Sequence, residues 1–168
     1  IGMAEGMPSL RFDLSVRRFA TKPFFAATTG AVPIKGQADI SVELLSVGGT
    51  FNEIIAALSG TGKFNVRNGE IVADNLVRHL AEDDRTTLAF QQLVGSFNVR
   101  SGILSGRDML MRSQGLSLVG EGEIALTENS VDIELRSLDT SRPKGKGLRP
   151  VKPFRVEGTL ASFDVIAK

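Results

Sequence analysis

The chain has 168 residues, a net charge of +1, no Cys, Trp or Tyr, one His and ten Phe. A chain of this length can bury one core without staples. The composition excludes disulfides, thiolate metal sites and multi-histidine metal sites, and it leaves no basic footprint for nucleic acid. Eighteen Gly beside 42% hydrophobic residues point to many strands and turns.

The first nine residues, IGMAEGMPS, read as a trimmed or disordered start, and residues 10–168 as one domain. Period-two alternation then recurs down the chain. Leu10, Phe12, Leu14 and Val16 alternate with Arg11, Asp13, Ser15 and Arg17, and Ile40, Val42 and Leu44 with Ser41 and Glu43. Thr50-Phe51-Asn52-Glu53 is a capping box, and Phe51, Ile54, Ile55 and Leu58 follow at the spacing of one helical face. Phe64 and Val66 restart the alternation, and Asn68-Gly69 predicts a hairpin turn. Asp74 to about Asp84 predicts a short helix with Leu76, Val77 and Leu80 inward, and Thr86–Leu93 a turn or loop.

Phe97 and Val99 form the next strand, and Ser101-Gly102 the next hairpin turn. Leu116, Leu118, Ile124 and Leu126 share a face, as do Val131, Ile133 and Leu135 across a turn at residues 127–130. Phe154, Val156 and Leu160 mark a closing strand. One wet face and one apolar face per strand is the pattern of an antiparallel sheet. The predicted fold is mainly β with short helices (α+β): a curved, U-shaped antiparallel sheet with one or two short helices on or at the end of its apolar face.

Phe-Asn-Val-Arg-x-Gly occurs twice, from Phe64 and from Phe97, 33 residues apart. The repeat fits stacked units or two similar hairpins in one sheet. No bilayer-length apolar run is present. His79 near Glu82, Asp83 and Asp84 reads as a solvated helix end, and no nucleophile–base pair can be assembled around a single His. No catalytic residue, metal ligand or cofactor is predicted.

Four segments in order resemble the AsmA family of bacterial envelope proteins. They are GGTFNEIIAALSGTGKFNVRNGEI (Gly48–Ile71), TTLAFQQLVGSFNVRSGIL (Thr86–Leu104), LSLVGEGEIALTENSVDIEL (Leu116–Leu135) and PVKPFRVEGTLASFDV (Pro150–Val165). The best-matching part is 34–165, and Phe163 stands where the family pattern has Pro. The resemblance implies a non-enzymatic periplasmic module of an inner-membrane-anchored protein, concerned with outer-membrane biogenesis and phospholipid homeostasis or transport. Its implied partners are phospholipid, neighbouring domains of the same chain and other envelope proteins.

The apolar face is larger than two short helices can cover. It is closed by curling of the sheet, by the helices, or by apolar ligand. For the last case the acyl-chain contacts are Phe64, Val66, Phe97, Val99, Leu116, Leu118, Ile124, Leu126, Ile133 and Leu135. The basic stretch with Arg142, Lys144 and Lys146 supplies head-group contacts, or is a solvated loop. The alternative function is a structural or protein-binding domain that pairs through its sheet edges without lipid.

Overall fold

The computed structural model describes residues 3–4, 7–23, 33–138, 147–148, 152–159 and 161–167. The strands are β1 (Met3–Ala4), β2 (Met7–Ala20), β3 (Ile34–Val47), β4 (Ser59–Ile71), β5 (Leu88–Arg100), β6 (Ile103–Ser113), β7 (Leu116–Ala125), β8 (Ser130–Ser137), β9 (Phe154–Thr159) and β10 (Phe163–Ala167). Each pairs antiparallel with its sequence neighbour, so the strand order is the chain order. The nine strands from β2 onward form a curved sheet that does not close into a barrel. Helices interrupt the meander between β3 and β4, α1 (Phe51–Ala56), and between β4 and β5, α2 (Asp74–Leu80). Met3–Ala4 pair with Met7 and Pro8, so part of the start set aside above belongs to the sheet.

Register sorts the side chains cleanly. Phe12 faces Leu44, Leu14 faces Val42 and Val16 faces Ile40, and these columns continue through Phe64, Phe97, Leu104, Ile124 and Ile133. The other face carries Asp13, Glu43, Lys63, Glu121, Asp132 and Arg155. Ion pairs lace that wet face, including Arg67–Asp39 and the two-oxygen contact of Arg155 with Asp132. Exposed pairs of this kind contribute about 0–1 kcal/mol each.

The core lies at one end of the apolar face, under α2. Val77 and Leu80 of α2 belong to one buried cluster with residues of β4, β5, β7, β8 and β9, among them Val66, Phe90, Leu118 and Phe154. Val77, Leu80 and Phe154 are fully buried. The helix also reaches the far side of the sheet. The Asn75 side chain donates to the Phe163 carbonyl at 2.6 Å, and the His79 ring centroid lies 4.5 Å from that of Phe154. Leu148 joins the core through a bridge to Ala81, and the Glu82 N–H donates to the Gly147 carbonyl.

Several expectations are corrected. Asn68-Gly69 makes no hairpin turn. β4 runs straight through it, with Asn68 at φ +50° in a bulge opposite the Lys35–Gln37 step. An Asn-Gly pair supplies positive φ for a bulge as readily as for a turn. Ser101-Gly102 does turn, with φ of +50° and +75°. Thr86–Leu93 is no loop, because β5 begins at Leu88 and Leu88, Phe90 and Leu93 are core. The Gln91-Gln92 pair interrupted the alternation and hid that strand.

The capping box of α1 forms: Glu53 N–H donates to Thr50 Oγ1 at 3.2 Å, and Thr50 N–H to Glu53 Oε2 at 3.1 Å. The helix stops at Ala56, however, so Leu58 lies outside it, and Phe51 is 76% exposed rather than inward. His79 is half-buried against Phe154, not a solvated helix end. The closing strand is a pair, β9 and β10, and Leu160 lies outside the described residues.

The repeat has a different meaning from stacked units. Gly62-Lys63-Phe64 and Gly95-Ser96-Phe97 lie on adjacent antiparallel strands, with Gly62 opposite Phe97 and Phe64 opposite Gly95. Each ring therefore covers the other strand's glycine, and the two centroids stand 6.5 Å apart. Two Gly-x-Phe tripeptides in antiparallel register are self-complementary, a cross-strand form of aromatic cover over glycine.

Candidate functional site

Beyond α2 the apolar face stays open. A trough of about 250 Å³ runs over β4–β8, walled by Phe64, Phe97, Leu104, Met109, Ile124 and Ile133. Every wall residue is half-buried, so protein covers one side of each and leaves the other bare. Glycine makes the floor. Gly106 stands directly opposite Gly122, and Met109 opposite Gly120, so bare backbone lies where side chains would otherwise fill the space. From the trough a row of cross-strand partners leads outward from Phe97 through Gly62 and Val42 to Leu14, which is 54% exposed on β2.

The trough sits beside a fault in the ladder. β6 carries an extra residue at Arg107-Asp108 relative to both β5 and β7. The strand bulges outward and leaves the Ser96 N–H without its ladder partner. Asp108 takes that place: its carboxylate accepts from Ser96 N–H at 2.9 Å and from the Ser96 hydroxyl at 2.5 Å. Those hydrogen bonds, the hydroxyl's first, hold the Asp108 carboxyl below the usual carboxylate range. The same device serves the β2 bulge, where Asp39 Oδ1 accepts from Arg18 N–H at 2.8 Å.

The ten predicted acyl-chain contacts divide. Phe64, Phe97, Ile124 and Ile133 line the trough. Val66, Val99, Leu116, Leu118 and Leu135 lie buried in protein and not along the trough. They share the alternating face, but α2 or neighbouring strands cover them, which periodicity alone does not reveal. Leu126 lies past the end of β7, half-buried, and takes no part in the wall. Arg142, Lys144 and Lys146 lie outside the described residues. The sequence reading missed Met109. The bulge at Arg107-Asp108 shifts the alternation by one and turns Met109 inward; the Gly106 before it was the available signal.

Ser96, Ser105, Glu121 and Glu123 also border the trough, but the surface it exposes is almost wholly apolar. A second hollow of about 660 Å³ lies on the wet face between Asn98, Arg107, Asp108, Glu121 and Glu123. It is larger, but charged side chains line it and about half its surface is polar, so less is gained by filling it with an apolar group, and the apolar trough is the better candidate. Among the described residues no three His, Asp or Glu side chains are grouped to hold a metal ion. No helix among them is long and apolar enough to cross a membrane.

Past the C-terminus of α2, Arg85 grips Asp83 with two bonds of 2.7 Å. That contact holds the Asp83 carboxyl at about 2. A depressed carboxyl stabilises the fold above its unfolded value of about 3.9, and the contribution disappears as pH falls from about 4 towards about 2. A carbon-13 NMR titration is expected to place the Asp83 midpoint near 2, and Arg85→Ala to return it to about 3.9. A midpoint already near the ordinary value in the unsubstituted protein would show that the contact does not persist in solution.

No family model, no curated protein and no solved structure matches the chain.

Proposed function

We propose that this chain is a non-enzymatic lipid-handling module of an AsmA-like envelope protein, placed in the periplasm, and that the open trough takes a phospholipid acyl chain. The half-buried apolar wall over a glycine floor carries this reading, and the four motif segments that resemble the AsmA family support it. Acyl binding needs no catalytic group: each methylene moved from water gains about 0.8 kcal/mol. The contact is non-directional, so a chain can slide along the row from Phe97 to Leu14 while its head group stays in water.

The test uses a phospholipid with an environment-sensitive fluorophore on one acyl chain. Saturable enhancement is expected. Leu104→Asp puts a charge in the wall without touching the core cluster, which does not include Leu104. Lost contact with two methylenes is worth about 1.6 kcal/mol, so the dissociation constant should rise about fifteenfold. Binding that is absent in the unsubstituted protein, or unchanged by Leu104→Asp, would overturn the proposal. A second reading, a structural module that pairs through sheet edges, draws support from the uncovered outer edge of β2.

A further inference from the structure

β1 pairs with β2 only at Met7 and Pro8, so among the described residues no strand covers the outer edge of β2 from Ser9 to Ala20. The direction of its backbone groups follows from one bond. The Pro8 carbonyl accepts from Gly48 N–H, on the β3 side. Backbone groups alternate along a strand, so Leu10, Phe12, Leu14 and Val16 bond to β3, while Arg11, Asp13 and Ser15 point their N–H and C=O groups outward. An edge of this kind is a template for another strand.

Two features bound the usable window. β1 occupies the edge at Met7 and Pro8, and a bulge breaks the register between Val16 and Phe19, with Arg18 at φ +54°. Leu10 to Val16 remains, with Phe12 and Asp13 near its middle. On the apolar face Phe12 is 44% exposed and Leu14 54%. On the wet face Asp13 stands directly opposite Glu43, a like-charge pair that disfavours the sheet as it stands.

We propose that a second copy of this chain adds to the sheet through β2, antiparallel, about a two-fold axis at Phe12. Charge selects this register. Centred on Phe12, each Arg11 meets the partner's Asp13, which also offsets the Asp13–Glu43 repulsion. Leu10 meets the partner's Leu14. Centring on Asp13 sets two carboxylates face to face, and centring on Arg11 two guanidinium groups. A shift by one residue sets Phe12 against Asp13 and mixes the two faces. Centres at Arg11, Phe12 and Asp13 all join outward backbone groups to one another, so charge decides among them; at the Phe12 centre Arg11 bonds to the partner's Asp13.

Sedimentation equilibrium of the purified chain is expected to show a monomer–dimer equilibrium. Asp13→Arg should raise the dimer dissociation constant at least about tenfold, because it lines up four cations. The exchange Arg11→Asp with Asp13→Arg should restore it. The chain has no cysteine, so a single introduced thiol reports the register. Phe12 falls in a pair without backbone bonds, Cα atoms about 4.5 Å apart, within disulfide reach. Oxidation of Phe12→Cys should give a covalent dimer, and Leu14→Cys should not. The proposal is overturned if the unsubstituted chain stays monomeric, if the charge exchange fails to restore association, or if Leu14→Cys cross-links as readily as Phe12→Cys.

Discussion

Replacing Phe154 by alanine is expected to destabilise the protein by about 3–5 kcal/mol, read as a fall in the denaturant midpoint at constant slope. Phe154 is fully buried, packs with Val77 and Leu80 of α2, and lies against the His79 ring. It opens β9, so its loss leaves a cavity where the far end of the sheet meets the helix. Phe51→Ala is the matched comparison. That ring is 76% exposed on α1 and its removal should change stability by no more than about 0.5 kcal/mol. Equal losses for the two variants would show that α2 does not seal the core as described.

Gly60→Ala is expected to be nearly as damaging. Gly60, the second residue of β4, stands at φ +144°, a conformation that side-chain-bearing residues rarely adopt. A methyl group there would overlap the Glu43 carbonyl oxygen and lie 2.9 Å from Leu44 Cα, both backbone atoms of the paired strand. Backbone strain costs about 1–3 kcal/mol and the overlap about 1–3 more. Gly49→Ala separates this from a general intolerance of alanine. Its nearest atom would be Glu53 Oε2 at 3.6 Å, and its melting temperature should hardly move. If Gly60→Ala melts with Gly49→Ala, the close approach of β3 to β4 at this point is wrong.

The strand pattern was legible because each side chain on a half-wet sheet reports its face. Phe12, Leu44, Phe64, Phe97, Ile124 and Ile133 were all assigned to one face, and the register places them there. The α1 cap was legible for a similar local reason: four adjacent residues satisfy one another's hydrogen bonds. What stayed hidden depends on partners distant in sequence. The positive φ of Asn68 serves a bulge because β3 and β5 both run past it, which Asn-Gly itself does not announce. Val66 and Phe64 look alike in the pattern, yet the first is buried in the core cluster and the second is half bare in the trough. The inward turn of Met109 depends on a bulge whose only trace is Gly-Arg-Asp between two alternating runs.

The reach of α2 across the sheet also fixes the order of events during synthesis. Val77 and Leu80 leave the ribosome long before Leu148, Phe154 and Phe163, the residues that help to enclose the helix or anchor it. Strands β2 to β8 can zip locally as they emerge, since each meets its neighbour in sequence. Their shared greasy floor stays uncapped at the α2 end until the final stretch appears. A stalled or truncated product lacking β9 and β10 would thus be a sticky, chaperone-dependent species, and the last few strands act as the latch of the whole domain.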